Sequence, residues 1–365
     1  MEIKLLKELN IVFETTELLR NEHSGSSCRD LKDAIMRKFE IDKAVLDSCF
    51  DSIIEMSEYV TAGIDSGTDP ALMDFLFGRH SMIPGCFADF IVHDVCRMPG
   101  GDPEALFSAL REAPKNVFFV NFSAMLTDEF ARGGDAPPIT SYQELFTFIE
   151  GLPVPEDEKF QLCRLYNNYE EYRGKLADIL EAAGALFMEK YDIIRHYAAW
   201  FVAAVNEPLA EGGLDFLREK YSIEPETDAS ALCLAPSVAM CNGTRHLVSY
   251  TTQDSVDYLY VGALFEPLRE ITDVSTADER LCRALRVLGD SRKFEILRLL
   301  ADGPKYGQQL ASLLDITTAT VSHHMAMLLD AGFVEIRRES NRIYYTIGRK
   351  KIRGFIEELT RNLLG

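Results

Sequence analysis

A short run of polar side chains near the C-terminus is suited to contact the edges of nucleic-acid bases. The run lies between Thr317 and Met325 and includes Ser322 and His323. Serine hydroxyls can donate or accept a hydrogen bond, and an imidazole can donate to a base acceptor or to a phosphate oxygen. On a helix with an exposed first turn, these groups would meet bases and phosphates in the major groove of DNA.

Two short helices around a tight turn are predicted to position this run. The pattern predicts a first helix over Tyr306–Leu314 and a second that begins after Thr317, whose side chain would cap its free amides. At about 100° per residue, the second helix would bury Val321, Met325 and Leu328 on one face. The predicted DNA-contacting residues lie at its tip and on the other face: Thr318, Ala319, Thr320, Ser322 and His323.

A β-hairpin is predicted directly after the second helix, over residues 334–347. Two runs of alternating apolar and polar residues flank a polar turn. Arg338, Asn341 and Arg342 at the tip of this wing would contact backbone phosphate or the minor groove. An amphipathic helix over Lys350–Leu364, beside a helix over Asp278–Leu288, would form the contact surface of a homodimer.

The order of these elements resembles the ArsR-like winged helix-turn-helix family of bacterial transcriptional regulators. The matching segments are, in chain order, residues 288–297, 320–325, 329–334 and 342–345. The resemblance covers the last quarter of the chain. It implies a homodimer that binds a palindromic operator in double-stranded DNA and represses transcription.

The sequence departs from this family where many members bind metal. Lys305–Ser312 in the helix-turn-helix has no cysteine, and the last helix offers Glu357 and Glu358 without a histidine. Soft-metal sensing is not expected at either place, and we predict no metal site, no cofactor and no catalytic residues. One further group of possible ligands matches no established metal-site spacing: His80, Cys86, His93 and Cys96.

The charge of the chain is divided unevenly. The net charge is −20, which is unusual for a DNA-binding protein because phosphates attract cations. Residues 277–365, however, hold 15 Lys and Arg against 11 Asp and Glu, a balance of +4, which leaves −24 for the rest. This division predicts two domains, an acidic effector or assembly domain at 1–276 and a DNA-binding domain at 277–365.

The acidic domain is predicted to be mainly helical. Turn residues separate a series of helical segments, and a break is expected near Gly184 within Pro155–Leu209. Between residues 230 and 265, short β-branched and aromatic runs around the turn Asn242-Gly243 predict a small antiparallel meander. The predicted fold class is therefore mainly α, with this meander and a C-terminal winged helix; Met1–Leu5 could be a strand or the start of a helix.

The eight cysteines are scattered without a Cys-x-x-Cys pair, so we expect reduced thiols and a cytoplasmic location. We find no apolar run long enough to span a membrane and no signal peptide.

Two other interpretations remain open at this stage. The N-terminal domain could be a small-molecule receptor or an enzyme, with the winged helix used mainly for protein interaction. Its aromatic residues could line a pocket, although their spacing is more typical of a core, and no catalytic motif is present. Ser322 and His323 could lie on an ordinary solvated helix face, and Arg338 and Arg342 could be ordinary surface charge.

Overall fold

The chain divides into two compact units, Met1–Glu270 and Ile271–Gly365. A computed structural model describes residues 2–39, 41–83, 85–130, 138–221, 229–250, 255–269, 271, 284–285, 287–314, 316–330, 332–339 and 342–364. The described part is mainly α-helical with a small sheet in each unit, which confirms the predicted class. Among the described helices, none combines the length and the apolar character that crossing a membrane requires.

Several helices of the first unit begin where the sequence supplies capping side chains. They are α1 Ile11–His23, α2 Cys28–Lys38, α3 Lys43–Asp65, α4 Pro70–Phe77, α5 Phe87–Val92, α6 Pro103–Glu112, α7 Lys115–Phe130, α8 Tyr142–Gly151, α9 Glu156–Asn167, α10 Tyr169–Glu189 and α11 Tyr191–Tyr221. Ser27 and Ser141 form capping boxes before α2 and α8, and Asp42, Asp69 and Asp102 cap α3, α4 and α6. Each cap satisfies an amide of the first turn that has no partner within its helix.

Helix α1 lies at the centre of this unit and contacts α3, α4, α5, α6 and α10. Every residue of Ile11–Leu19 is buried, although the stretch contains two glutamates and two threonines. The threonine hydroxyls donate to carbonyl oxygens of their own helix. Because an unpaired buried carboxylate is costly, Glu14 and Glu17 need partners from elsewhere in the unit.

A four-stranded mixed sheet corrects the predicted antiparallel meander. Its strands are β1 Glu2–Leu5, β2 Ala231–Ser237, β3 Thr244–Leu247 and β4 Val256–Gly262, in the order β1-β2-β4-β3. Strands β1 and β4 run parallel to β2, and only β3 and β4 are antiparallel. Strands β2 and β4 are buried along nearly their whole length, which is typical of central parallel strands. The turn at Asn242-Gly243 therefore joins two strands that do not pair.

Helices cover both faces of this sheet. On one face, Phe201 and Val205 of α11 pack against Leu232 and Leu259. On the other, the ring of Phe13 in α1 stacks on Tyr260, with ring centroids 3.6 Å apart. This stacking holds α1 against strand β4.

One prediction for the helices of this unit was wrong, and one of its helices was not predicted. No break occurs at Gly184, which lies inside α10. A Cβ atom there would come within 2.7 Å of Phe107 Cζ, so the glycine allows α10 to approach α6 closely. Helix α7 was not predicted, because apolar residues at most of its positions conceal the helical period.

A disulfide joins Cys28 to Cys241, so the expectation that all thiols are reduced is wrong for this pair. Cys28 begins α2, and Cys241 lies in the loop between β2 and β3. Asn21 and Glu14 hold this loop, because Asn21 Nδ2 donates to Ala239 O and Glu14 Oε2 accepts from the Val238 and Ala239 amides. The cysteines that the structure describes as free are Cys49, Cys86, Cys96, Cys163 and Cys233.

The second unit alternates short helices with a three-stranded sheet. Its elements are α12 Ser291–Ala301, β5 Lys305–Tyr306, α13 Gly307–Leu314, α14 Thr318–Asp330, β6 Val334–Glu339, β7 Arg342–Ile347 and α15 Arg349–Leu364, with the sheet order β5-β7-β6. Most of the helix predicted over Asp278–Leu288 lies outside the described residues, and residues 284–285 and 287–288 are helical.

Candidate nucleic-acid interface

One face of α14 is held by the core of the second unit. Val321, Met325 and Leu328 are at most 1% exposed, which confirms the predicted buried face. They belong to a cluster with Ile296 of α12 and Leu310 of α13. Because α14 is fixed through this face, its remaining residues are presented in a defined orientation.

Helix α12 begins at a side-chain cap. The Asp290 side chain accepts a 3.0 Å hydrogen bond from the Lys293 amide, which lowers the pKa of that carboxyl. Phe294 does not enter the core, although it is aromatic, and is 52% exposed. Lys293 is buried instead, and its ammonium group lies 3.1 Å from Asp290.

The first turn of α14 is capped by Thr317, as predicted. Thr317 Oγ1 accepts a 3.1 Å hydrogen bond from the Thr320 amide, and the Thr317 and Thr320 hydroxyls lie 2.8 Å apart. Thr317, Thr318 and Thr320 are all exposed. The N-terminal end of α14 therefore presents hydroxyl groups and the positive end of a helix dipole to solvent, a combination that favours phosphate.

The remaining predicted contacts of α14 follow within the next turn. Ser322 is exposed, and its hydroxyl donates a 2.9 Å hydrogen bond to Thr318 O. Ala319 and His323 are residues of the same helix, one and five positions after Thr318. His324, the next residue, is half-buried.

The wing is an antiparallel hairpin, as predicted, of β6 and β7. Its last two residue pairs are Arg338 with Ile343 and Glu339 with Arg342, which puts both arginines at the end of the ladder. Asn341, the third predicted contact of the wing, lies outside the described residues.

A third strand of this sheet was missed by the sequence prediction. Lys305 and Tyr306, predicted to begin a helix, form β5 and pair with Tyr345 and Tyr344 of β7. The Tyr306 and Tyr344 rings meet edge to face at 5.8 Å. Strand β5 ties the wing to the start of α13, so the helix-turn-helix and the wing belong to one folded body.

The apolar stripe of the last helix is only partly covered. Ile352 and Phe355 pack against the core, with the Phe355 ring 5.5 Å from that of Phe333. At about 100° per residue, Ile356 and Leu363 belong to the same stripe, and they are 54% and 72% exposed. Large apolar side chains of α15 are therefore in contact with solvent.

The chemistry available at this surface is that of binding. The exposed hydroxyl groups and the helix N-terminus can form hydrogen bonds with nucleic acid. Among the residues that the structure describes, we find no cluster of three or more His, Cys, Asp or Glu side chains able to hold a metal ion.

Comparison with known proteins finds a matching family and relatives for this same region. Residues 290–335 match the family model described as bacterial regulatory protein, arsR family. The transcriptional activator HlyU of Vibrio cholerae is 30% identical over 77 residues, which are 21% of this chain and 71% of that protein. The arsenical resistance operon repressor of Staphylococcus aureus is 31% identical over 81 residues, 22% of this chain and 78% of that protein.

A solved structure also aligns with this region. The homodimeric winged helix-turn-helix DNA-binding domain of Mb0332 from Mycobacterium bovis is 29% identical and covers 24% of this chain and 83% of that chain, with a TM-score of 0.20. That score is too low to support an argument about the fold.

Proposed function

The chain belongs to the ArsR family of bacterial regulatory proteins, and from that premise we propose that it represses transcription as a homodimer bound to a palindromic operator. Family membership makes it a DNA-binding transcriptional regulator. The observation that carries the proposal is the exposed, capped N-terminal turn of α14 on a helix whose opposite face is buried. A helix fixed in this way can enter the major groove without rearrangement of the domain.

We infer that the eight predicted residues contact DNA in two groups. Thr318, Ala319, Thr320, Ser322 and His323 of α14 face the major groove. The wing residues Arg338, Asn341 and Arg342 contact phosphate or the minor groove. The excess of cations in residues 277–365 supports this assignment because counterion release favours basic surfaces on DNA.

The exposed apolar residues of α15 are the basis for proposing a homodimer. Ile356 and Leu363 are large side chains in contact with solvent, and a helix of this kind can pair with its copy across a twofold axis. A twofold dimer presents two α14 helices, so its operator should contain two related half-sites about one helical turn, roughly 34–36 Å, apart.

For the N-terminal domain, 1–276, we propose an effector or assembly role without catalysis, controlled by a small-molecule effector. We place the protein in the cytoplasm, where a bacterial operator lies.

DNA-binding and in vitro transcription assays with the full chain test the proposal. We expect a salt-sensitive, sequence-dependent complex with DNA upstream of its own gene, and reduced transcription from that promoter in vitro. The double variant Ser322→Ala with His323→Ala should lose most of the specific affinity. Ser48→Ala, at an exposed serine of α3 that also donates to its own helix, should bind like the parent.

Three results would overturn parts of the proposal. Full affinity in the double variant would exclude α14 as the reading helix. Binding that does not depend on sequence would exclude an operator. Increased transcription on binding would replace repression by activation, which is the role named for the Vibrio cholerae relative.

A further inference from the structure

A cleft of about 400 Å³ opens into the first unit beside the buried helix α1. Its walls come from α1, α5, α7 and the end of β3, and its volume lies within the usual range for small-molecule sites. A small cavity of about 20 Å³ adjoins it and shares the side chains of His93, Met125 and Arg245. Among the residues that the structure describes in this lining, neither cysteine of the disulfide appears.

The floor of the cleft is an ion cluster built from three separate parts of the chain. Arg245 of β3 pairs with Glu17 of α1 and, at 2.7 Å, with Asp89 of α5. Arg20 of α1 pairs with the other oxygen of Glu17. The Glu17 and Asp89 side chains are 1% and 6% exposed, and the Cys86 amide also donates to Asp89. Two guanidinium groups thus face two carboxylates, and the cluster is balanced in charge.

The cluster is balanced in charge but has more donors than acceptors. Each guanidinium carries five N–H donors and no acceptor. Arg20 and Arg245 both line the cleft, and their side chains are 23% and 21% exposed. Part of each side chain can therefore be reached from the cleft. A ligand that brings an acceptor oxygen could accept from these arginines without displacing the carboxylates.

The surroundings limit the charge of that ligand. Asp128 and Glu129 are exposed residues of α7 that line the cleft, and residues 1–276 carry a net charge of −24. These carboxylates disfavour an anion. A cation has no free acceptor on the floor, because Glu17 and Asp89 are already paired.

The rest of the lining mixes apolar and polar side chains. His246 and Tyr250 carry polar groups, and the apolar residues are Phe90, Met125, Phe130, Leu247 and Val248. His93 is 3% exposed, and burial lowers its pKa, so its ring stays neutral near pH 7. The cleft therefore offers apolar contacts beside guanidinium donors and other polar groups.

We propose that this cleft binds an uncharged small molecule with an apolar part, whose carbonyl oxygen accepts hydrogen bonds from Arg20 and Arg245. Amides, lactones and ketones have this chemistry. The site gives the first unit a receptor function that does not depend on DNA binding.

The test uses the full chain without DNA and three probes that share one aromatic body. Saturation-transfer NMR is recorded at millimolar phenylacetamide, phenylacetate and phenethylamine. We expect binding of the amide, and affinities at least tenfold lower for the anion and the cation. No amide binding, or equal binding of all three, would overturn the proposal.

Two variants locate the binding. Arg20→Lys keeps a cation beside Glu17 but replaces the five fixed N–H donors of a guanidinium with the three of an ammonium group, so it should lose at least tenfold in amide affinity. Arg29→Lys alters a matched surface pair with Glu58 outside the cleft and should bind like the parent. Val248→Trp fills the cleft without altering the ion cluster. It should also abolish amide binding, and it tests the location of the site if the Arg20→Lys protein does not fold. Unchanged amide affinity in a folded Arg20→Lys or Val248→Trp protein would contradict this site.

Discussion

The hydroxyl of Ser322 donates a 2.9 Å hydrogen bond to the carbonyl oxygen of Thr318, one turn earlier in α14. Its proton is therefore used within the helix while the side chain remains exposed. In this arrangement Ser322 offers lone pairs outward. Such an acceptor is suited to the exocyclic amino group of adenine or cytosine in the major groove.

Replacing Ser322 by alanine should weaken operator binding and relax base preference at one position. We expect a loss of about tenfold in affinity at fixed salt, which is typical for one base contact, and no change in the melting temperature because the side chain is exposed. Fluorescence anisotropy with single-base variants of the operator measures both effects. An unchanged preference at every base pair would mean that Ser322 reads no base.

The Thr317 cap should control the stability of the first turn of α14. Thr317→Ala removes the acceptor of the Thr320 amide, and the loss of such a cap costs about 1 kcal/mol. Hydrogen exchange at that amide should become several-fold faster, whereas Thr317→Ser should exchange like the parent. Equal exchange in all three proteins would show that the cap does not stabilise the turn.

Charge on the exposed face of α15 should dissociate the dimer. Leu363→Glu puts a carboxylate at a side chain that is 72% exposed in the single chain, and burying it between two copies would be costly. Sedimentation velocity should show a dimer for the parent and a monomer for the variant. Phe160→Glu, at a 68% exposed side chain of α9, is the matched control and should remain dimeric. A monomeric parent would contradict the proposed assembly.

Glu14 should make the first unit less stable as the pH rises. Burial raises the pKa of Glu14 from 4.5 to about 7, although the Ala239 amide, the Ser237 hydroxyl and the Val238 amide donate to it. Between these values the folded protein retains a proton that the unfolded chain has lost. This group therefore lowers the free energy of unfolding as the pH rises through that window, by on the order of 3 kcal/mol in total.

Urea unfolding of the parent and of Glu14→Gln between pH 5 and 8 tests this. Glutamine can accept the same two amide hydrogen bonds but does not titrate, so the variant should lose this decline. Glu58→Gln, at an exposed glutamate of α3, should keep it. Parallel pH dependences for Glu14→Gln and the parent would show that Glu14 does not hold the proton.

The second unit was largely predictable because its local patterns agree with one another. Thr317 marks a helix start, Val321, Met325 and Leu328 repeat at helical spacing, and alternation after Gly332 marks the wing. Each feature depends on residues close together in the chain. Strand β5 was missed because a strand of two residues has no pattern of its own; only its pairing with β7 defines it.

The first unit was less predictable because its sheet and its cleft depend on residues far apart in sequence. The pairing of Leu5 with Leu234 and the ion pair of Arg245 with Asp89 have no local pattern. One sequence feature pointed to the cleft, namely two glutamates within the apolar stretch Ile11–Leu19. A buried carboxylate needs a cation, hydrogen-bond donors or a proton, and the sequence alone does not say that Glu17 pairs with Arg20 and Arg245 whereas Glu14 accepts from two backbone amides.

Hydroxyl-radical footprinting of the full chain on DNA upstream of its own gene tests the central claim most directly. We expect two protected half-sites on one face of the duplex, with centres roughly 10 base pairs or a multiple of that apart, and loss of this protection in the Ser322→Ala with His323→Ala variant. A folded protein that protects no sequence, or a double variant that gives the same footprint, would contradict it.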